Sequence, residues 1–224
     1  MRPEVVAEAI EIGADFIFAH HPMMFRPAKN LDLAIPQNQM YATLLQHHIT
    51  VYGAHTNLDS APGGMNDWLA AALGLQQCVG LVPSNGVGAT SEIMMGRIGD
   101  LSETTTVREF ALACKRYFHV DGLRLITHTP EAPVKRVAIL GGSGGQFYPA
   151  ALAKGADVYV TGDVSYHPGH DMIAAGLNVI DPGHHIESIC KPHLTAMFQQ
   201  WAQENNWAIT VQASQLNTDP FTFL

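Results

Sequence analysis

Four times along this chain a short helical stretch is followed by an apolar run of four or five residues and then by a loop rich in histidine or aspartate, a recurrence that permits few architectures. In the first copy Pro3 and Glu4 suit a helix N-terminus, and Val5, Val6, Ala9, Ile10 and Ile12 recur at helical spacing until Gly13. Phe16 to Ala19 then form a continuous apolar run, as expected of a parallel strand covered on both faces, and it stops at His20, His21 and Pro22. In the second copy a helix from Met40 to His48 leads to a strand from Ile49 to Tyr52, with His55, Asn57 and Asp59 beyond it. In the third, Pro149 to Gly155 precedes a strand from Ala156 to Val160, followed by Thr161, Asp163 and His167. In the fourth, Asp171 to Gly176 precedes a strand from Leu177 to Ile180, followed by Asp181, His184, His185 and Glu187. The first and third copies are similar in wording, "AIEIGADFIFAHHP" against "ALAKGADVYVTGDV".

Between these pairs the pattern predicts strands over Ile93 to Ile98, Leu123 to Thr127 and Val137 to Leu140. It also predicts a helix through Phe118 opened by a Thr106/Glu109 capping box. The chain closes with a helix carrying Leu194, Met197, Phe198 and Trp201 and a predicted strand from Ala208 to Gln212. Alternating helix and strand implies an α/β fold with a largely parallel or mixed sheet. With 224 residues, 47% of them hydrophobic, the chain can bury a substantial core as one large domain or two intimately packed lobes. No flexible linker is visible, so a division has to run through Asn66 to Gly96. This gives lobe one as about 1–90 plus the C-terminal portion and lobe two as about 91–165. The net charge of -8 disfavours nucleic acid and anionic membranes as partners. Three scattered cysteines, no spanning apolar run and no secretory signal pattern point to the cytoplasm.

Ligands of open α/β sheets bind beyond the carboxyl ends of strands, where loops converge. Twelve histidines against 14% charged residues is an unusual balance, and most of them fall in clusters. A histidine is more often a surface or hydrogen-bonded core residue than a ligand, so position has to decide. His20 and His21 are adjacent, and in an extended segment neighbours point to opposite sides, so the pair could serve two ions. Asp59, His184 and Glu187 add a carboxylate, an imidazole and a second carboxylate at equivalent loops. Such mixed ligation suits Zn, Mn, Fe or Ni better than Ca or Mg, and the lack of nearby cysteine argues against a structural zinc site. The structural readings are strand-end capping for either histidine, a turn role for Asp59 before Pro62-Gly63-Gly64, and a turn role for His184 after Pro182-Gly183. Coincidence at equivalent topological positions favours ligation over these, with His185 as an alternative to His184. His47 and His48 fall at a helix end and read as solvated. Asp163, His167, His170 and Asp171 read as a polar cluster that supports ligands rather than supplying them. The run Gly141-Gly-Ser-Gly-Gly145 resembles an anion cradle but lacks the Lys and Ser/Thr of a P-loop, so a tight turn for close packing is the preferred reading.

The segments "GADFIFAHHPMMF", "VYGAHTNLD", "VAILGGSGG", "GADVYVTGDVSYH" and "VIDPGHHIE" resemble, in the same order, the signature segments of the NIF3-like dinuclear metal centre proteins, often labelled GTP cyclohydrolase 1 type 2 homologues. The resemblance runs nearly end to end. It implies a NIF3-like fold of two interleaved α/β lobes with a metal site between them, two divalent metal ions per chain and a ring-shaped homohexamer. Carried over by position, the metal ligands are His20, His21, Asp59, His184 and Glu187. The label further implies a hydrolase of cyclohydrolase or phosphoesterase type acting on a nucleotide-like or phosphorylated substrate, with Glu187, His55 or His167 moving the proton. The alternative is a non-catalytic metal-binding regulatory or interaction protein. A DNA-associated ring is a weaker reading, opposed by the acidic charge. The chain starts later than family members, which begin with an additional strand-bearing stretch, and it lacks the inserted middle domain, so it resembles the short form.

Overall fold

The computed structural model describes residues 1–84 and 93–224, and the chain forms two compact units. Met1–Leu58 with Leu194–Thr218 make the first, and Asp59–His193 with Asp219–Leu224 make the second. The first break between the units thus falls after Leu58. The reason is the helix Met65–Ala72, whose Met65, Leu69 and Ala70 are buried and which packs on strands of the second unit.

In the first unit, helix α1 (Pro3–Glu11) runs into strand β1 (Phe16–Ala19), and helix α2 (Pro36–Gln46) into strand β2 (Thr50–Gly53). Pro3 occupies the first turn of α1, where its missing N–H costs nothing, and Gly13 takes φ +68° to leave the helix. Helix α2 begins at Pro36, one turn before the predicted Met40, because Gln37, Asn38 and Gln39 extend it without adding to the apolar stripe. The two helices face each other across Val6, Ala9, Met40 and Leu44, with Ile49 completing the cluster. Strands β1 and β2 pair in parallel, Phe16 with Thr50 through Ala19 with Gly53. The two-faced burial expected of the first strand is not met: Phe16 is 50% exposed, because this sheet has only two strands among the described residues. Phe18 packs between Tyr52 and Phe198, 5.4 and 4.9 Å away between ring centres. The predicted strand over Ala208 to Gln212 has no strand partner among the described residues and is simply irregular chain.

Helix α3 (Thr56–Ser60) begins in the first unit and ends in the second, which continues with helix α4 (Met65–Ala72), then strands β3 (Gln76–Pro83) and β4 (Met94–Thr106). Helix α5 (Val107–Tyr117) leads to β5 (Arg124–Ile126) and β6 (Pro133–Ile139). Then α6 (Tyr148–Ala153), β7 (Val158–Val160), α7 (Tyr166–Ala174) and β8 (Asn178–Asp181) follow, and the last helix, α8 (Cys190–Asn205), belongs to the first unit from Leu194 on. The six-stranded sheet runs β3-β4-β6-β7-β8-β5, with β6, β7 and β8 parallel and the other pairings antiparallel, so it is mixed. All three residues of β7 are fully buried, as a central parallel strand covered on both faces requires. The core around it gathers Leu81, Ile98, Ala138, Leu140, Tyr159, Met172 and Val179. Strand β3 was not foreseen, since Gln76 and Gln77 break its apolar pattern and a register shift interrupts its pairing between Gln76 and Val79. Strand β4 outruns the predicted Ile93 to Ile98 for the same reason, with polar residues and an irregularity between Asp100 and Thr105. The capping box stands as read: Glu109 N donates to Thr106 Oγ1 at 3.2 Å, and Thr106 N to the Glu109 carboxylate. Consecutive crossovers through α6 and α7 place the ends of β6, β7 and β8 side by side, and it is there that the polar loops open.

Candidate metal centre

The parallel register of the first unit decides what meets at its strand ends. The chain continues past Ala19 and Gly53 with the pairing still held by Ala54 N donating to Ala19 O at 2.8 Å, so residues 20–21 run beside 54–55. His20 is buried, and its Nδ1 lies 2.7 Å from the carbonyl of Ala54. A carbonyl can only accept, so Nδ1 carries the proton and Nε2 the lone pair. The rings of His20 and His21 stand 4.9 Å apart, and each stands 5.4 Å from His55. One donor nitrogen from each of the three lies within 4.8 Å of the others. The adjacent pair therefore does not diverge. The strand ends at Ala19 and the chain bends at His20 and His21, so the alternation of an extended segment does not apply.

In the second unit His184 and Glu187 sit in a 3-10 turn, His184–Ile189, in which residues three apart eclipse. His184 Nε2 and Glu187 Oε2 are accordingly 3.1 Å apart. On the other side of the ring, His184 Nδ1 lies 2.6 Å from Asp163 Oδ2, which also accepts from Ser143 Oγ at 2.5 Å. The imidazole is thus held between two carboxylates. Its pKa is raised to about 9, chiefly by the hydrogen bond to Glu187, with burial opposing and Asp163 adding to the rise. Burial pushes the Asp163 carboxyl up, but its bonds to Ser143 and His184 outweigh this and hold it below the usual range. Asp163 itself occupies φ +56°, a left-handed conformation that an aspartate tolerates and that turns its carboxylate back onto the ring. Asp59 is 9% exposed, and it and Glu187 offer carboxylate oxygens within 4.8 Å of each other.

Three residues that the sequence reading passed over hold these donors in place. Asn66 is fully buried; its Nδ2 donates to Asp59 O at 2.9 Å and its Oδ1 accepts from Gly141 N at 3.0 Å. A polar residue on the apolar face of a short helix is costly unless it bonds something, and that was the available signal. Asp181, 2% exposed, accepts from Val164 N and Gly183 N at 2.9 Å and pairs with Arg124. It thereby ties the loop after β7 to the loop after β8. Ser143 supplies the hydroxyl on Asp163.

The glycine run is a packing device. Gly141 N and Gly144 N are already bonded to Asn66 and Thr161, and a Cβ at Gly144 would stand 2.6 Å from Thr161 Oγ1. A Cβ at Gly142 would stand 2.5 Å from Glu187 Oε1, so the turn makes room for the Glu187 carboxylate rather than cradling an anion. His184, not His185, meets Asp163 and Glu187; burial lowers the pKa of His185, which has Asp219 and Lys191 nearby. His167, His170 and Asp171 lie exposed on α7, with the Tyr166 ring against both histidines, and join no donor group among the described residues. His47 and His48 are exposed at the end of α2.

The chain is a mixed α/β protein that gathers imidazoles and carboxylates, the donor types of divalent-metal sites, at the carboxyl ends of parallel strands. Residues 1–220 match the family Duf34/NIF3 (NGG1p interacting factor 3), and the chain belongs to that family. It is 43% identical over 224 residues to a Streptococcus pneumoniae protein named GTP cyclohydrolase 1 type 2 homolog, covering 99% of this chain and 82% of the relative. A Bacillus subtilis protein of the same name is 30% identical, over 98% of this chain and 86% of its own length. Among solved structures, a Bacillus cereus protein related to NIF3 superposes with a TM-score of 0.94 at 29% identity, covering 100% of this chain and 87% of that one. A Staphylococcus aureus hypothetical protein does so at 0.91 and 30%, covering 99% and 84%. Among the described residues no helix is long and apolar enough to cross a membrane.

Proposed function

We propose that this protein binds two divalent metal ions per chain through His20, His21, Asp59, His184 and Glu187. The observation that carries this reading is His184 pinned between Asp163 and Glu187: a ring fixed by one carboxylate and aimed at another is how imidazole ligands are oriented toward a cation. The donors fit Zn, Mn, Fe or Ni, being imidazoles and carboxylates without cysteine. The two donor sets are joined covalently, since His55 and Asp59 lie one turn apart at helix α3.

The activity that follows from the relatives' name is hydrolysis of a nucleotide-like or phosphorylated substrate. Paired cations supply Lewis acidity toward water and ester oxygens. The chain's own share would be to fix the ligands and to hold a proton, with Glu187, His55 or His167 as the candidate carriers; Glu187 lies in the turn after β8, His55 just before α3, and His167 exposed in α7. A non-catalytic metal-binding role is the second reading. It is favoured by Asp163 and Ser143, the polar groups beside His184, being spent on orienting its ring rather than presented as an acid or base. Elemental analysis of protein purified without chelator or His-tag tests the binding, with two equivalents expected. A panel of nucleotides and phosphoesters, assayed with wild type and a folded Asp59→Ala variant, separates the readings. Metal-dependent turnover lost in the variant establishes the hydrolase, and no turnover of any panel member establishes the binder.

A further inference from the structure

We propose that Trp68 and His193, two rings stacked face to face in the second unit, are positioning residues that hold Asp59 and Glu187 together for a shared cation. The proposal rests on those carboxylates ligating metal, as argued above. It goes beyond that reading by giving a role to two side chains that join no donor group among the described residues.

Helix α4 is tied to different parts of the second unit by three consecutive residues. Asn66 donates to the Asp59 carbonyl and accepts from Gly141 N, at 2.9 and 3.0 Å. Asp67 holds Arg97 of β4 and accepts from Gly63 N at 2.6 Å. Trp68 lies against His193, with ring centres 4.9 Å apart and planes only 4° from parallel. Parallel rings at that separation are offset, which is a favoured stacking geometry. His193 sits in the first turn of α8, and α8 follows without a break from the turn His184–Ile189 that carries Glu187. The stack therefore ties the helix that fixes Asp59 to the segment that carries Glu187, and α4 also packs on that turn.

Asp59 and Glu187 are 9% and 6% exposed and offer oxygens within 4.8 Å of each other. Like charges this close and this dry repel, so without a cation between them the segments that carry them are pushed apart. A helix of eight residues does not hold its own place; packing at its faces does. Asn66 and Asp67 fasten α4 to the turn after β6 and to β4, and the Trp68–His193 stack fastens it to α8. Burial of apolar surface alone does not account for the pair. His193 is exposed and Trp68 half-buried, and an imidazole gains less from such a place than an apolar side chain would. Partial burial holds the His193 pKa below its ordinary value, so at neutral pH it stacks as the uncharged ring.

The test uses the full chain, zinc as the probe and a temperature well below unfolding, so that affinity is read on folded protein. Trp68→Ala and His193→Ala should each weaken zinc binding about 2- to 10-fold, the equilibrium equivalent of one aromatic pair. The double variant should lose no more than either single one, because both remove the same contact. Trp68→Phe keeps a ring on the imidazole and should recover most of the loss, with the wild-type zinc stoichiometry. A role in stability alone lowers the melting temperature of the metal-free chain and leaves zinc affinity where it was. Phe110→Leu, a core truncation in α5, calibrates that outcome. Folded Trp68→Ala and His193→Ala variants with wild-type zinc affinity overturn the clamp and leave the metal reading standing. Additive losses in the double variant overturn the stack as their cause. His193 is exposed, so His193→Ala decides the question should Trp68→Ala fail to fold. A wild-type chain that takes up no zinc, manganese, iron or nickel overturns both readings.

Discussion

Gly142→Ala separates the two jobs of the turn after β6, which are to be a turn and to leave space for a ligand. At φ +62° an alanine is strained by about 1–2 kcal/mol. Its Cβ would also stand 2.5 Å from Glu187 Oε1 and 3.2 Å from His184 Nε2. The carboxylate must withdraw by roughly 1 Å to regain ordinary contact, several times the ~0.2 Å within which metal–ligand bonds hold their length. The strain lowers the metal-free melting temperature by roughly 2–8 °C for a chain of this size. Displacing the ligand weakens metal binding by at least the 10- to 100-fold typical of losing a ligand's support, and each tenfold removes about 1.4 kcal/mol of metal-induced stabilisation. Gly155→Ala is the control: Gly155 has φ +73° and nothing within 4 Å of its added Cβ, so it should show the drop in melting temperature alone. Thermal scans with and without zinc, together with calorimetry, read both effects. If Gly142→Ala lowers the metal-free melting temperature but keeps the wild-type affinity and zinc-induced shift, then Glu187 and His184 are not ligands.

Asn66→Ala leaves a buried Gly141 N–H and the Asp59 carbonyl without their bonds, and should cost roughly 2–4 kcal/mol in urea unfolding. Asp163→Asn keeps the shape and the left-handed backbone but removes the anion from His184. Metal affinity should fall about 10- to 100-fold, and NMR titration of the metal-free protein should find the His184 pKa below its value of about 9. Asp67→Asn strips the carboxylate from Arg97, whose side chain is 9% exposed and which meets Asp67 through Nε and Nη2 at 2.5 and 2.8 Å. The loss should be about 2–3 kcal/mol, below that of a fully buried pair because Asp67 is a third exposed. Burial raises the Asp67 pKa, but the bonds from Arg97 and Gly63 N–H outweigh it and lower the folded value below the ordinary 3.8. The pair's contribution is therefore present above pH 3.8 and lost as pH falls through that lowered value, so wild type and variant should converge in stability in strong acid.

The second unit was legible where its strands are buried on both faces. Val158, Tyr159 and Val160 are each 0% exposed, and an uninterrupted apolar run can hardly mean anything else at that length. It was not legible at β3 and the far half of β4, where Gln77, Ser102 and Glu103 face solvent and pairing alone makes the strand. Ala208 to Gln212 shows the converse. Its β-branched Ile209, Thr210 and Val211 read as a strand, yet a strand exists only through a partner, and the sequence says nothing about whether one lies alongside.

The same physics divides the candidate site. Candidate donors at strand ends announce themselves, because polar residues that stop an apolar run stand out against it; His20, His21, Asp59, His184 and Glu187 were read as candidates in that way. What orients them does not announce itself. Asp163 stood out in the polar cluster after the third strand, but its reach to His184 across 21 residues did not; Ser143 reaches Asp163 across 20 and Asn66 reaches Gly141 across 75, both from segments of ordinary composition. His55 lies between these cases. It was visible as a polar group past the second strand, but its place beside His21 depends on the parallel register of two strands, which periodicity leaves undetermined. One residue of slip would set His55 level with a neighbour of His21 instead, so which imidazoles meet depends on the register as well as on the histidine count.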